Sequence, residues 1–146
     1  MKWIDSSLKQ YIKGVNFLVV NEKGEVLIQR RDQNTKKYPG ALCIPGGGIE
    51  PGEYPQIAVV RECSEETGLN ICPTDFIHFG NFCYIMDKKL RVNSLFIVLV
   101  ENPIIVSGEG EMIWMNRSLL MRVTELARGE EKLFPEIDKF LRALLP

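Results

Sequence analysis

Three glutamates, Glu62, Glu65 and Glu66, stand at i, i+3 and i+4 in a stretch with helical punctuation. Pro55 sits where a first-turn proline is tolerated, and Gly68 where a C-terminal glycine cap belongs. Helical spacing gathers the three carboxylates on one side and sets Ile57, Val60, Ser64 and Thr67 on the other. Like charges one turn apart repel by about 0.2–0.5 kcal/mol per pair. That cost is small enough for an ordinary solvated helix face, and Arg61 offsets part of it by pairing with Glu65 one turn on. A hard divalent cation offsets far more, because Mg²⁺ takes oxygen ligands and keeps several of its waters. A cation held there could neutralise a bound polyanion.

What separates this stretch from a solvated face is its surroundings. Residues Gly47 to Leu69 read GGIEPGEYPQIAVVRECSEETGL. This resembles the Nudix box of the Nudix (MutT-like) hydrolase family, G-x5-E-x7-R-E-U-x-E-E-x-G-U with U apolar. Gly47, Glu53, Arg61, Glu62, Glu65, Glu66, Gly68 and Leu69 stand in register, and Cys63 fills the first apolar slot, where the family usually has Leu, Ile or Val. A free cysteine behaves as a small hydrophobe, so the substitution is mild.

The resemblance implies an α+β fold, an α/β/α sandwich with a mixed β-sheet, over a single domain of residues 1–146. It implies Mg²⁺, with Mn²⁺ as an alternative, held by Glu62, Glu65, Glu66 and the carbonyl of Gly46. Glu53 and Arg61 would fix the loop and orient those glutamates. In relatives the general base is the equivalent of Glu62 or a glutamate in the loop before the last strand. Here the loop offers Glu109 and Glu111, and Glu109 is favoured because glycines flank it on both sides.

The elements that must position these groups follow from periodicity. Val15–Val20 and Glu25–Arg31 read as a hairpin around Asn21-Glu22-Lys23-Gly24. Arg30 and Arg31 end its second strand with opposite facings, and the resemblance favours Arg31 as a contact to substrate phosphates. Residues 32–40 form a polar, turn-rich, mobile segment leading into Ala41–Gly48, a short apolar strand that enters the glycines. The family often carries Trp where this chain has Cys43, which makes the pocket wall smaller. Asp75–Met86 and Leu90–Glu101 read as a long hairpin, with Phe82 and Tyr84 on one face as core or as a stacking wall for a base. His78, the sole histidine, has no orienting partner nearby in sequence and reads as a strand residue. A Trp-containing strand over 108–115, a short helix from Ser118 to about Arg128 and an amphipathic helix over 135–145 complete the chain. The last presents Ile137, Phe140, Leu141 and Leu144 at i, i+3, i+4, i+7.

Composition bounds the partners. Over 146 residues the net charge is −1, which leaves no broad electrostatic footprint for a nucleic acid polymer or an anionic membrane. No apolar run is long enough to span a bilayer, and the N-terminus has no secretory apolar region. Cys43, Cys63, Cys72 and Cys83 lack metal or redox spacing and read as reduced structural thiols in apolar contexts. These features point to the cytoplasm. The substrate expected is a small-molecule nucleotide, and a monomer and a homodimer are both compatible with the sequence.

The leading expectation from the resemblance is Mg²⁺-dependent hydrolysis of a nucleoside diphosphate linked to another moiety. A nucleoside triphosphate giving a monophosphate and pyrophosphate comes first, and a dinucleoside polyphosphate or nucleotide sugar second. A Nudix-fold isomerase would need further metal-binding histidines. A ligand sensor would tend to have lost box glutamates, and all are present here.

Overall fold

The apolar run at 15–20 becomes the centre of the sheet. A computed structural model describes residues 11–106, 110–122 and 126–145. Strand β1 (Ile12–Val20) is gripped on one side by β6 (Lys89–Leu99), parallel to it from Ile12↔Arg91 to Val20↔Leu99. On the other side it pairs antiparallel with β4 (Gly46–Gly48), and at Val20↔Val26 with β2 (Val26–Arg30). The long hairpin forms as expected, β5 (Ile77–Met86) returning along β6 around Asp87 and Lys88, both in left-handed backbone. β2 also carries β3 (Leu42–Cys43) and β7 (Glu111–Met115), both antiparallel. One parallel pair among antiparallel ones makes the sheet mixed.

Both faces are covered, which is why β1 is buried from Gly14 to Val20 with no polar alternation. Val15, Phe17 and Val19 point to helix α1 (Pro55–Thr67), packing with Ala58, Val59 and Cys63. Leu18 and Val20 point the other way, toward helix α3 (Phe134–Leu144), where Phe134, Ile137 and Leu141 close the second layer. The α/β/α sandwich is therefore the observed architecture.

Several local expectations are corrected. The buried stripe of α1 is Ala58, Val59, Cys63 and Thr67, whereas Ile57 is 49% exposed and Val60 and Ser64 are half-buried. The small side chains Ala58 and Cys63 let the helix lie close on the sheet, and this turns Ile57 outward. In α3, Leu144 is exposed, and Phe134 takes a core place instead. The helix expected over 118–128 is not one helix. A four-residue α2 (Arg117–Leu120) starts at Asn116, whose side chain caps the Ser118 N–H, and a 3₁₀ segment spans Ala127–Leu133. Arg128 and Gly129 interrupt that segment in left-handed backbone. The 32–40 segment is turn-rich, as expected, and folded on itself. The Asp32 carboxylate accepts the Asn34 N–H, and Thr35 Oγ1 donates to the Asp32 carbonyl. Lys37 forms an ion pair with Asp87 of the β5–β6 turn. Of the four free cysteines, Cys43 and Cys63 are buried, but Cys72 and Cys83 are exposed.

Candidate active site

Pairing of β4 against β1 brings the glycine run against the middle of α1, at Arg61 and Glu62. The fit there is tight. A Cβ on Gly47 would fall on the Glu62 carboxylate, and one on Gly46 would fall on the Val15 carbonyl. Glycine at 47 thus lets a backbone strand and a carboxylate share a space that any side chain would fill.

Arg61 is the centre of the polar network. Its Nε and Nη2 donate to the two oxygens of Glu53 at 2.9 and 2.8 Å, and Nη2 also donates to the Gly48 carbonyl at 3.0 Å. Its Nη1 reaches Glu62 Oε1 at 2.9 Å and Glu65 Oε2 at 3.4 Å, the i, i+4 pair anticipated from spacing. One guanidinium therefore ties the loop before α1, the glycine strand and two of the clustered glutamates. These hydrogen bonds, helped by the Glu50 N–H, hold the Glu53 carboxyl down to about 2. Burial pushes Glu62 above the ordinary carboxylate range, against the pull of Arg61. Burial likewise pushes the Cys43 and Cys63 thiols up to about 11, as expected of inert packed cysteines.

Beside this network a cleft of about 530 Å³ is lined by Arg31, Asp32, Asn34, Thr35, Gly46 and Glu66, with Gln29 and Gly110 completing it. The Arg31 Nε donates to the Lys37 carbonyl at 3.0 Å, which fixes the arginine to the folded 32–40 segment. Arg30, with the opposite facing, pairs instead with Glu111 at 3.9 Å on the surface. Glu111 is consequently turned away from the cleft, with a side chain 70% exposed. Glu109 lies outside the described residues. Glu62 is nearly enclosed, Glu66 lines the cleft, and Glu65 is mostly exposed.

Among the described residues no three His, Cys, Asp or Glu side chains converge on a metal-sized point. The donor chemistry nonetheless suits Mg²⁺. The available groups are carboxylate and carbonyl oxygens, and this ion is commonly held by one or two carboxylates plus substrate phosphates and water.

Phe82 and Tyr84 do share a face, their rings stacked with centroids 6.1 Å apart. That face is the α3 side of the sheet, away from the glutamates, and Phe82 packs against the α3 core. Tyr84 instead borders a smaller hollow that also touches Gly47 and Gly48. His78, expected to have no orienting partner nearby in sequence, pairs with Asn81 at 2.9 Å and stacks on Phe96, and it lines neither hollow.

Some site residues escaped the sequence reading. Glu130, fully buried, accepts the Ile44 N–H at 2.9 Å and pairs with Arg128, whose Nη2 donates to the Ile44 carbonyl at 3.1 Å. Asn16 Nδ2 donates to the Ile44 and Pro45 carbonyls at 3.0 and 3.3 Å. These four contacts pin the chain immediately before Gly46. Asn16 and Asn93 had a signal, each being a lone carboxamide in an apolar strand. Glu130 had none.

A family model described as NUDIX domain matches residues 10–143. The chain belongs to the NUDIX domain family. Among solved NUDIX-fold structures, a MutT protein from Methanosarcina mazei Go1 is 30% identical, with a TM-score of 0.77 over 89% of this chain and 94% of that one. Among curated relatives, an RNA pyrophosphohydrolase of Roseobacter denitrificans is 44% identical over 57 residues, 38% of this chain and 33% of that protein. Nudix hydrolase 3 of Caenorhabditis elegans is 32% identical over 107 residues, 68% of this chain and 44% of that protein. The chain thus spans between a third and a half of the length of these curated relatives. No helix among the described residues of this NUDIX domain is long and apolar enough to cross a membrane.

Proposed function

We propose that residues 1–146 act as one catalytic domain that hydrolyses a phosphoric anhydride bond of a nucleoside diphosphate linked to another moiety. A nucleoside triphosphate split to monophosphate and pyrophosphate is the first substrate class. The observation that carries this reading is the shared position of Gly46, Glu66 and Arg31 around one cleft, adjoining the Arg61-organised glutamates. A cationic residue, an acidic one and a backbone glycine around one cleft suit a diphosphate with its counter-cation.

Glu62, Glu65, Glu66 and the Gly46 carbonyl would hold Mg²⁺, or Mn²⁺ in its place. When bound, the ion supplies neutralisation of the charge on the phosphate oxygens. Arg31 would hold the substrate's phosphates. Glu62, raised by burial yet hydrogen-bonded by Arg61, would take the proton of the attacking water as the P–O bond to the leaving group breaks. Glu109 is the second candidate for that base. Glu53 would act through Arg61, which it holds with both oxygens.

A second reading has its own support, the 44% identity over 57 residues to an RNA pyrophosphohydrolase. A 5′-triphosphorylated RNA oligonucleotide therefore belongs in the substrate panel, beside nucleoside triphosphates, dinucleoside polyphosphates and nucleotide sugars.

Mass spectrometry of products, with Mg²⁺ and with EDTA, tests the reading. The expected result is a monophosphate product that EDTA abolishes. Glu66→Gln should lower turnover by more than the roughly 10–100-fold that losing an outer-shell partner costs, with circular dichroism unchanged. Wild-type turnover in that variant, or no product from any panel member, would overturn it.

A further inference from the structure

A second hollow, of about 160 Å³, lies on the α3 side of the sheet and is built by strand register. Tyr84, Arg91 and Ile12 are cross-strand neighbours in one row, and Phe82, Asn93, Gly14 and Gly48 in the next. Paired residues on adjacent strands face the same way, so these two rows share one surface. The glycines leave its floor without side chains.

The polar groups of this hollow have fixed polarity. Two backbone carbonyls, of Ile44 and Pro45, accept from Asn16, so the Asn16 nitrogen must face them. Its oxygen then accepts from Asn93 Nδ2 at 2.6 Å. This leaves Asn93 Oδ1 as an acceptor, and a Cβ on Gly14 would press on that atom at 2.7 Å. Arg91 supplies the opposite polarity. Its Nε is shut off from solvent with no hydrogen-bond partner, and it has no ion pair among the described residues. The guanidinium thus borders the hollow as a cationic donor fork that no described carboxylate pairs with. Arg128 and Lys13 border the same hollow, but the charge of Arg128 is already matched by Glu130, and the Lys13 ammonium lies over the Tyr11 ring, 5.5 Å from its centroid.

We propose that this hollow holds the base of the substrate and selects a 6-oxopurine. The base would lie against the Tyr84 ring, with Arg91 donating to its carbonyl edge and Asn93 Oδ1 accepting from its ring N1–H. Adenine reverses both partners, placing an amino donor toward Arg91 and a bare nitrogen toward Asn93. Ile12, Met86 and Tyr84 give the hollow apolar walls, which suit a base better than a phosphate. The inference rests on the hydrolase reading, since Gly46 borders the diphosphate cleft while Gly47 and Gly48 border the hollow. A nucleotide crossing that strand would reach both.

Titration calorimetry of GMP, IMP and AMP against the full chain, without metal, tests it. GMP and IMP should bind about tenfold or more tighter than AMP. Arg91→Met should bring the three within about twofold by weakening GMP and IMP alone. Arg91→Lys keeps the charge without the paired donors, and should lose the preference as well. Equal affinities in the wild type, no binding of any of the three, or an equal loss for all three in the Arg91 variants would overturn the proposal. The last result would assign Arg91 to phosphate. Binding without metal is read separately from turnover. A chain that prefers GMP but hydrolyses nothing refutes the hydrolase reading alone. Hydrolysis without base preference refutes this one alone.

Discussion

Arg61 and Glu53 meet edge to edge, Nε to Oε2 at 2.9 Å and Nη2 to Oε1 at 2.8 Å, while the remaining Nη1 of that arginine holds Glu62 at 2.9 Å. The loop carboxylate therefore sets the orientation of the helix glutamate through one rigid fork. Glu53 is held down to about 2 from an ordinary 4.5. A depressed carboxyl stabilises the fold fully above its unfolded value, and that contribution is lost as pH falls through the folded value. The wild-type melting temperature should accordingly drop between about pH 4.5 and pH 2, and Glu53→Gln should flatten that part of the curve. Parallel curves for the two proteins would refute the coupling.

Arg61→Lys keeps the charge but loses the fork. Turnover should fall roughly 10–100-fold, the usual cost of disturbing a group that orients ligands. Steady-state kinetics beside a thermal melt would separate this from unfolding.

Gly47→Ala and Gly48→Ala make a matched pair. The first Cβ falls on the Glu62 carboxylate, and the second meets nothing within 4 Å. Ala at 47 should cost about 1–3 kcal/mol of stability through overpacking and most of the activity. Ala at 48 should stay within about 0.5 kcal/mol of wild type. Urea unfolding read beside activity checks both, and equal effects at the two positions would contradict the packing.

Glu130 is fully buried between the Ile44 N–H and the Arg128 guanidinium. Glu130→Ala leaves a buried cation and a buried N–H without partners, and should cost about 3–5 kcal/mol in urea unfolding. Glu130→Gln retains an acceptor for Ile44 and should cost less. Equal losses would show that the charge, and not the hydrogen bond to Ile44, carries the contact.

Glu111 pairs with Arg30 at 3.9 Å on the exposed edge of β7, so Glu111→Gln should leave turnover within about twofold of wild type, as expected for a surface pair worth at most about 1 kcal/mol. If Glu109 is the base, Glu109→Gln should lower kcat by about 10²–10⁴-fold. A silent Glu109→Gln would leave Glu62 as the base.

The box from Gly47 to Leu69 was legible because its chemistry is local. The glutamates, Arg61 and Gly68 lie within a few helical turns, and spacing along one helix sets their mutual positions whatever the sheet does. The long hairpin and α3 were legible for the same reason, since their periodicities of two and 3.6 are properties of neighbouring residues. The helix expected over 118–128 failed where tertiary packing overrode local preference. There Glu130 must reach Ile44, a residue 86 positions away, and left-handed Arg128 and Gly129 turn the chain to allow it.

Sequence by itself determined the family, the acidic helix and the arginine that organises it. The tertiary structure decided which face each strand residue serves. Parallel pairing of β1 with β6 set Arg91 beside Ile12 and Asn93 beside Gly14, contacts between residues nearly 80 apart that no spacing rule encodes. It also put Tyr84 on the face opposite the glutamates, and turned Glu111 to the surface while Arg31 lines the cleft. The physical reason is register. Side chains alternate strictly along a strand, so a one-residue change in pairing moves every group to the other face, and only the assembled sheet fixes that choice.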